Sequence, residues 1–138
     1  MVKTETFTFQ MQGNGEIRDI TDDVNKKVQK SGLKNGVVTV FVPGATGAVT
    51  TIENESGLLK DFKELIEKWI PAEKEYYHNE RWGDGNGHSH LRASLIGPYL
   101  GVPVMDGQMM LGTWQQIVLI DFDVRPRSRR VVVQMMGE

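Results

Sequence analysis

Apolar residues recur along this chain with two different periods. Over residues 5–11, ETFTFQM alternates strictly, with Phe7, Phe9 and Met11 on one face and Thr6, Thr8 and Gln10 on the other. That is the pattern of a half-buried strand. GNGE at 13–16 reads as a turn, which predicts a hairpin partner beginning near Glu16. The period then changes. Ile20, Val24 and Val28 recur every four residues in DITDDVNKKVQKSG, a narrow helical stripe that Thr21 or Asp22 can cap and Gly32 can end. The β-branched runs GVVTVFVPG and GAVTTIE predict two strands joined by a short loop at Pro43 and Gly44. Ser56 is the expected cap of a second helix. Its apolar face is Leu58, Leu59, Phe62, Leu65, Ile66, Trp69 and Ile70, and Pro71 stops it.

Past residue 90 the runs are SLIGPYLGVPV, QMMLGTW, QQIVLIDFDV and RRVVVQMM. The last two are long and rich in large or β-branched residues, and are expected to pair around the basic turn between them. Strands, helix, strands, helix, strands is the order of an α+β fold: a single domain over 1–138, with a mixed or antiparallel sheet and two main helices.

Composition narrows the function classes. The net charge of −2 argues against nucleic acid or a membrane surface as partner. No apolar run approaches the ~18 residues of a membrane span, and the N-terminal MVKTETFTFQ has no apolar signal core, so a cytoplasmic protein is expected. With no cysteine, a thiolate metal site is excluded. Any metal must be held by His, Asp, Glu or water.

All three histidines, His78, His88 and His90, fall within HNERWGDGNGHSHLR at 78–92. Residues two apart share a face on a strand but lie roughly 200° apart on a helix. If His88 and His90 work together, the backbone there is extended, and a glycine loop can fold His78 back onto them. Three imidazoles are the donor set of an open divalent-metal site, zinc being the commonest occupant. Asp84, Asn86 and Glu80 can orient imidazole N–H groups, and Asp84 can itself be a ligand. Solvated loop histidines are the plain alternative. Gly83, Gly85 and Gly87 either shape a turn or let backbone N–H groups approach an anion.

Other candidates are more dispersed. Arg92 shares the histidine face if the strand continues, which makes it the preferred anion contact. RPRSRR at 125–130 carries four arginines, suited to phosphate or carboxylate or simply a solvated turn. Glu53 is a candidate proton-transfer group, as is Asp84. Thr113, Trp114 and Gln115 can present a hydroxyl, an aromatic face and an amide.

Four linked stretches, YYH at 76–78, DGNGHSHLRASLIG at 84–97, LGTWQ at 111–115 and RRVVV at 129–133, resemble the YjbQ-like family in order and spacing across nearly the whole chain. The resemblance implies an α+β fold assembled as a homotrimer or an assembly of trimers, with a histidine-containing cleft at a subunit boundary that often holds a metal. It also implies a secondary thiamine-phosphate synthase-like activity. That reaction joins a pyrimidine methyl diphosphate to a thiazole phosphate and releases diphosphate. His78 and His90 match the family pattern best; Asn86, Arg92, Ser94, Thr113 and Gln115 match lesser positions. Many members carry a further histidine where this chain has Gly44 or Ala45, and His88 is the candidate replacement. The expectation is a metal-dependent enzyme acting on a small phosphorylated molecule. His78, His88 and His90 hold the metal, Glu53, Asp84, Arg92 and Gln115 do the chemistry, and Asn86, Ser94 and Thr113 bind the ligand. The alternative is a metal- or phosphate-binding oligomer without turnover.

Overall fold

The computed structural model describes all 138 residues. They form β1 (Val2–Met11), β2 (Glu16–Asp19), α1 (Thr21–Ser31), β3 (Gly36–Phe41), β4 (Gly47–Ile52), α2 (Ser56–Trp69), α3 (Tyr77–Trp82), α4 (Gly87–Ile96), β5 (Tyr99–Met105), β6 (Gln108–Met109), β7 (Gln116–Asp121) and β8 (Arg127–Gly137). The strands make two antiparallel sheets, one ordered β1-β8-β3-β5-β6 and the other β2-β7-β4. The expected α+β class is present, with two short helices added to the two main ones. No helix is long and apolar enough to cross a membrane.

The alternation of apolar residues assigns the layers. Val38, Val40, Val102, Val131, Val133 and Met135 of the larger sheet meet Val49, Ile117 and Leu119 of the smaller one, and α1 closes the same core with Val24 and Val28. The neighbouring positions of the small sheet, Ala48, Val118 and Ile120, face the opposite way and pack under Ile66 of α2 and Ala93 of α4. β7 is therefore buried on both faces, which is why IVLI is an unbroken apolar run. The larger sheet's outer face is uncovered.

Two expected pairings do not form, and two strands joined by a short loop part into different sheets. β1 pairs with β8, from Val2 opposite Met136 to Met11 opposite Arg127, and β2 pairs with β7, so the turn at 13–16 joins two sheets instead of closing a hairpin. β3 and β4 also separate into different sheets, as do β7 and β8. Each of these connections crosses between layers, and neighbouring apolar strands read the same in sequence whether they pair or pack face to face. Ser56 is not the cap of α2. Glu55 is, its carboxylate accepting from the N–H groups of Gly57 and Leu58, and these bonds hold its carboxyl below the ordinary range. Only a narrow seam of the expected α2 face is used: Phe62 and Ile66 pack on the sheet, while Leu65 and Trp69 stay exposed.

Candidate functional site

The site forms at one end of the two-sheet core, where β3 crosses to β4, β7 crosses to β8, and α4 begins. The expected extended backbone at 88–90 is a helix. Gly83 and Gly85 adopt positive φ and end α3, and the chain re-enters helix at Gly87, whose N–H donates to the Asn79 side chain at 2.8 Å. A Cβ on Gly87 would stand 2.8 Å from Tyr76 Cβ, so this contact needs glycine.

Helical geometry divides the histidines. His78 does fold back: its ring lies 4.5 Å from that of His90, centroid to centroid, with Nδ1 facing an Asp84 carboxylate oxygen at 3.6 Å. His88, half a turn from His90, points into the protein and is 5% exposed. Burial, and then the Arg92 guanidinium, hold its imidazole below the ordinary histidine value, so it is neutral near pH 7. The Nδ1 atoms of both His78 and His88 are buried without a hydrogen-bond partner. No three His, Asp or Glu side chains converge as a metal set. The three-histidine centre expected from i, i+2 spacing is thus corrected to a pair, His78 and His90, with Asp84 beside it.

Arg92 also leaves the pair, for the same helical reason. Its Nε and Nη2 donate to the Ile70 carbonyl at 3.0 and 2.7 Å, and Nη2 to Glu67 at 2.6 Å. It therefore satisfies the C-terminal end of α2 rather than a ligand. Ser94 stays with His90, one turn on, its hydroxyl bonded back to the His90 carbonyl. His90, Ala93 and Ser94 line a cavity of about 190 Å³ with Gly44, Ala45, Gly47 and Pro98. A wider groove of about 830 Å³ runs along α2 over Lys60, Lys63 and Lys68 but contains none of the candidate residues.

Asn86 connects this surface tier to a buried one. With its nitrogen toward Asp84, the Asn86 amide donates to both carboxylate oxygens at 3.0 and 3.2 Å. It also faces Asp123. Burial pushes the Asp123 carboxyl up, but the Val124 N–H, Thr46 and Arg127 outweigh it and hold the group below the ordinary range. Thr46 Oγ1 donates to Asp123 at 3.0 Å and accepts from Arg129 Nη2 at 2.6 Å. Arg129 is fully buried and forks onto Asp121, Nε to Oδ2 and Nη2 to Oδ1, both at 2.9 Å.

Reading the sequence for single reactive residues misses Thr46, Asp121 and Asp123. A usable signal was there: two aspartates, i and i+2, at the end of an apolar strand, and Arg129 in the same alternation as Val131 and Val133. Glu53, Thr113 and Gln115 do not join the site. Glu53 lies beyond the far end of β4, about 20 Å along the strand from Gly47. Gln115 Nε2 donates to Thr51 Oγ1 at 3.1 Å, and the Thr113 carbonyl accepts from Gln116. Within one chain these residues build a second cluster, with Trp114 exposed beside it.

Comparison with known proteins identifies the family. The family model described as UPF0047 protein YjbQ-like matches residues 5–138. A UPF0047 protein of Methanothermobacter thermautotrophicus is 39% identical over 99% of this chain and 94% of its own. One from Archaeoglobus fulgidus is 43% identical over 88% and 91%. The crystal structure of a YbjQ-like protein of unknown function from Sulfolobus solfataricus superposes with a TM-score of 0.90 at 34% identity, over 100% of both chains. A hypothetical protein from Aeropyrum pernix gives 0.92 at 34% identity over 99% of both. With a match from residue 5 to the end and relatives this similar, the chain belongs to the UPF0047, YjbQ-like family.

Proposed function

We propose that the His78–His90–Asp84 cluster is the reactive centre of an enzyme acting on a small phosphorylated molecule, with thiamine phosphate formation as the reaction to assay. The carrying observation is the pair itself: two imidazoles packed at 4.5 Å, one with a buried, unpartnered Nδ1 facing a carboxylate, at the mouth of a cavity. Asp84 orients His78, and Asn86 orients Asp84. With Nδ1 turned to the carboxylate, the other ring nitrogen of His78 is left to take or give a proton. In the assayed reaction the thiazole nitrogen bonds to the pyrimidine methylene carbon, the carbon–oxygen bond to diphosphate breaks, and diphosphate leaves with the electron pair.

One chain falls short of a metal set. A divalent ion, zinc first, would be held by His78 and His90 only with donors from outside this chain. A homotrimer supplies them, and the uncovered sheet face supports assembly. There Tyr99, Phe41 and Val132 form one cross-strand row, and Pro103, Val37, Met136 and Val2 another. A second copy packed on these rows would bury apolar surface now left to water. It would also offer a route for the separate Thr113–Gln115 cluster to approach a neighbour's histidines.

The test combines elemental analysis, sedimentation and turnover of wild type, His78→Ala and His90→Ala. Metal lost with either histidine, a wild-type trimer and thiamine phosphate formed from its two precursors support the reading. Equal metal in all three proteins removes the metal. No product above the protein-free control removes the reaction and leaves a phosphate-binding oligomer, the reading that the incomplete donor set favours.

A further inference from the structure

Arg129 has a donor with nothing to donate to. Its Nε and Nη2 are engaged by Asp121 and Thr46, but Nη1 is buried and unpartnered. Leaving a charged donor unsatisfied is expensive, and native proteins rarely do so without a ligand or water to complete it. The atom's position is specific. A Cβ on Gly44 would lie 3.0 Å from it, and one on Gly47 3.3 Å. Both glycines line the 190 Å³ cavity that His90 and Ser94 also line. Gly44 and Gly47 thus stand between the guanidinium and that space.

The loop itself offers more donors. The backbone N–H groups of Gly44, Ala45 and Thr46 enter no backbone hydrogen bond. Gly44 and Ala45 are exposed, and Gly44 has φ +121°, a conformation other residues resist. Asp121 neutralises the Arg129 charge, so what the loop and Nη1 offer together is a set of unpartnered N–H donors rather than a net positive field. Arg129 cannot swing away, because the fork onto Asp121 and the bond to Thr46 fix it. It is pre-set, and because it does not itself line the cavity, an oxygen reaches it only when Gly44–Ala45 gives way.

We infer that this cavity is an oxyanion subsite, in which Arg129 Nη1 and the N–H groups of residues 44–46 seat a phosphoryl group of the ligand beside His90. The inference deepens the proposed function by naming where the phosphate sits. A tetrahedral phosphoryl group suits the site better than a carboxylate, since the donors come from two directions and outnumber two oxygens. The guanidinium supplies a fixed N–H donor without moving, and the glycines supply access.

The probes are inorganic phosphate and diphosphate, titrated into the native oligomer. Binding is read by calorimetry, and the loop is read by the amide resonances of Gly44, Ala45 and Thr46. Arg129→Met alone strands Asp121 as a buried charge, so the variant used is Arg129→Met with Asp121→Leu, which removes both charges together. Gly47→Ala is a second variant, with ordinary φ and a methyl at 3.3 Å from the guanidinium. Both are expected to weaken phosphate binding at least about tenfold, the loss of one charge-assisted hydrogen bond, whereas Lys60→Ala, in the separate groove along α2, binds as wild type does. Wild-type protein that binds neither probe overturns the inference. So does a double variant that binds as tightly as wild type, or binding that leaves the three amides unmoved. If the wild type binds phosphate, the double variant does not, and no form of the protein turns over substrate, the reactive-centre reading fails and the subsite stands. If the double variant retains full turnover and substrate affinity, the reverse holds.

Discussion

Replacing Asp121 by Leu, alone and in combination with Arg129→Met, measures what the buried pair contributes. Asp121 is 0% and Arg129 1% exposed, and two bonds of 2.9 Å join them. Asp121 Oδ1 accepts a third, from the Asp123 N–H at 2.9 Å. Deleting Asp121 leaves a guanidinium in a dry interior with only Thr46 as acceptor, and breaking such a pair costs about 3–5 kcal/mol. Global stability for a chain of 138 residues is roughly 7–20 kcal/mol, so either single variant loses a large share of it. With a urea slope of about 2 kcal/mol per molar, a loss of about 4 kcal/mol lowers the midpoint by roughly 2 M. The double variant removes both desolvation penalties and is expected to recover most of the loss, remaining within about 1–2 kcal/mol of wild type. Urea unfolding of the four proteins gives the coupling energy directly. Single variants each costing less than about 1 kcal/mol, or a double variant as unstable as the sum of the singles, would refute the claim that this is a dry, mutually dependent pair.

Gly87→Ala is expected to destabilise by about 1–2 kcal/mol in thermal melts, although Ala is the better helix former by about 1 kcal/mol, because the new Cβ meets Tyr76 Cβ at 2.8 Å; a stabilised variant would contradict the contact. Arg92→Met is expected to cost about 1–2 kcal/mol and to raise amide exchange at the end of α2, since the Ile70 carbonyl loses its donor while the half-exposed Glu67 resolvates. Asp123 titrates below its unfolded value, so the stability it lends is complete above that unfolded value, about pH 4, and fades as pH falls through the folded one. Acid unfolding of Asp123→Asn should therefore show a shallower loss below pH 4 than wild type, and parallel curves would remove Asp123 as a source of acid sensitivity.

Element type was legible where one periodicity dominated. β1, β3, α1 and β8 follow directly from alternation or a four-residue repeat, and the α+β class follows from their order. Pairing was not legible, because β3–β4 and β7–β8 are consecutive apolar runs whose partners lie in another layer. At the site, the fold-back of His78 onto His90 was readable from the glycines between them. The direction of His88 and Arg92 was not. It turns on whether the backbone after Gly87 is helical, and that is decided by the Asn79 bond and by Tyr76, both on another element. The Arg129 network escaped for a different reason: an ion pair across two sheets has no spacing rule in one sequence.

The pairing of β1 with β8 has a consequence for the order in which this chain can fold. β8 lies between β1 and β3, and those two strands make no ladder with each other. During vectorial synthesis, then, the first and third strands wait with open edges until residues 127–137 emerge. The larger sheet closes in a single late event with very long sequence separation, Val2 meeting Met136. A nascent chain arrested before β8 presents Phe7 and Phe9 of β1 unpaired, and β3 paired on its β5 side alone. Such open edges are templates for pairing with another chain, and so for aggregation.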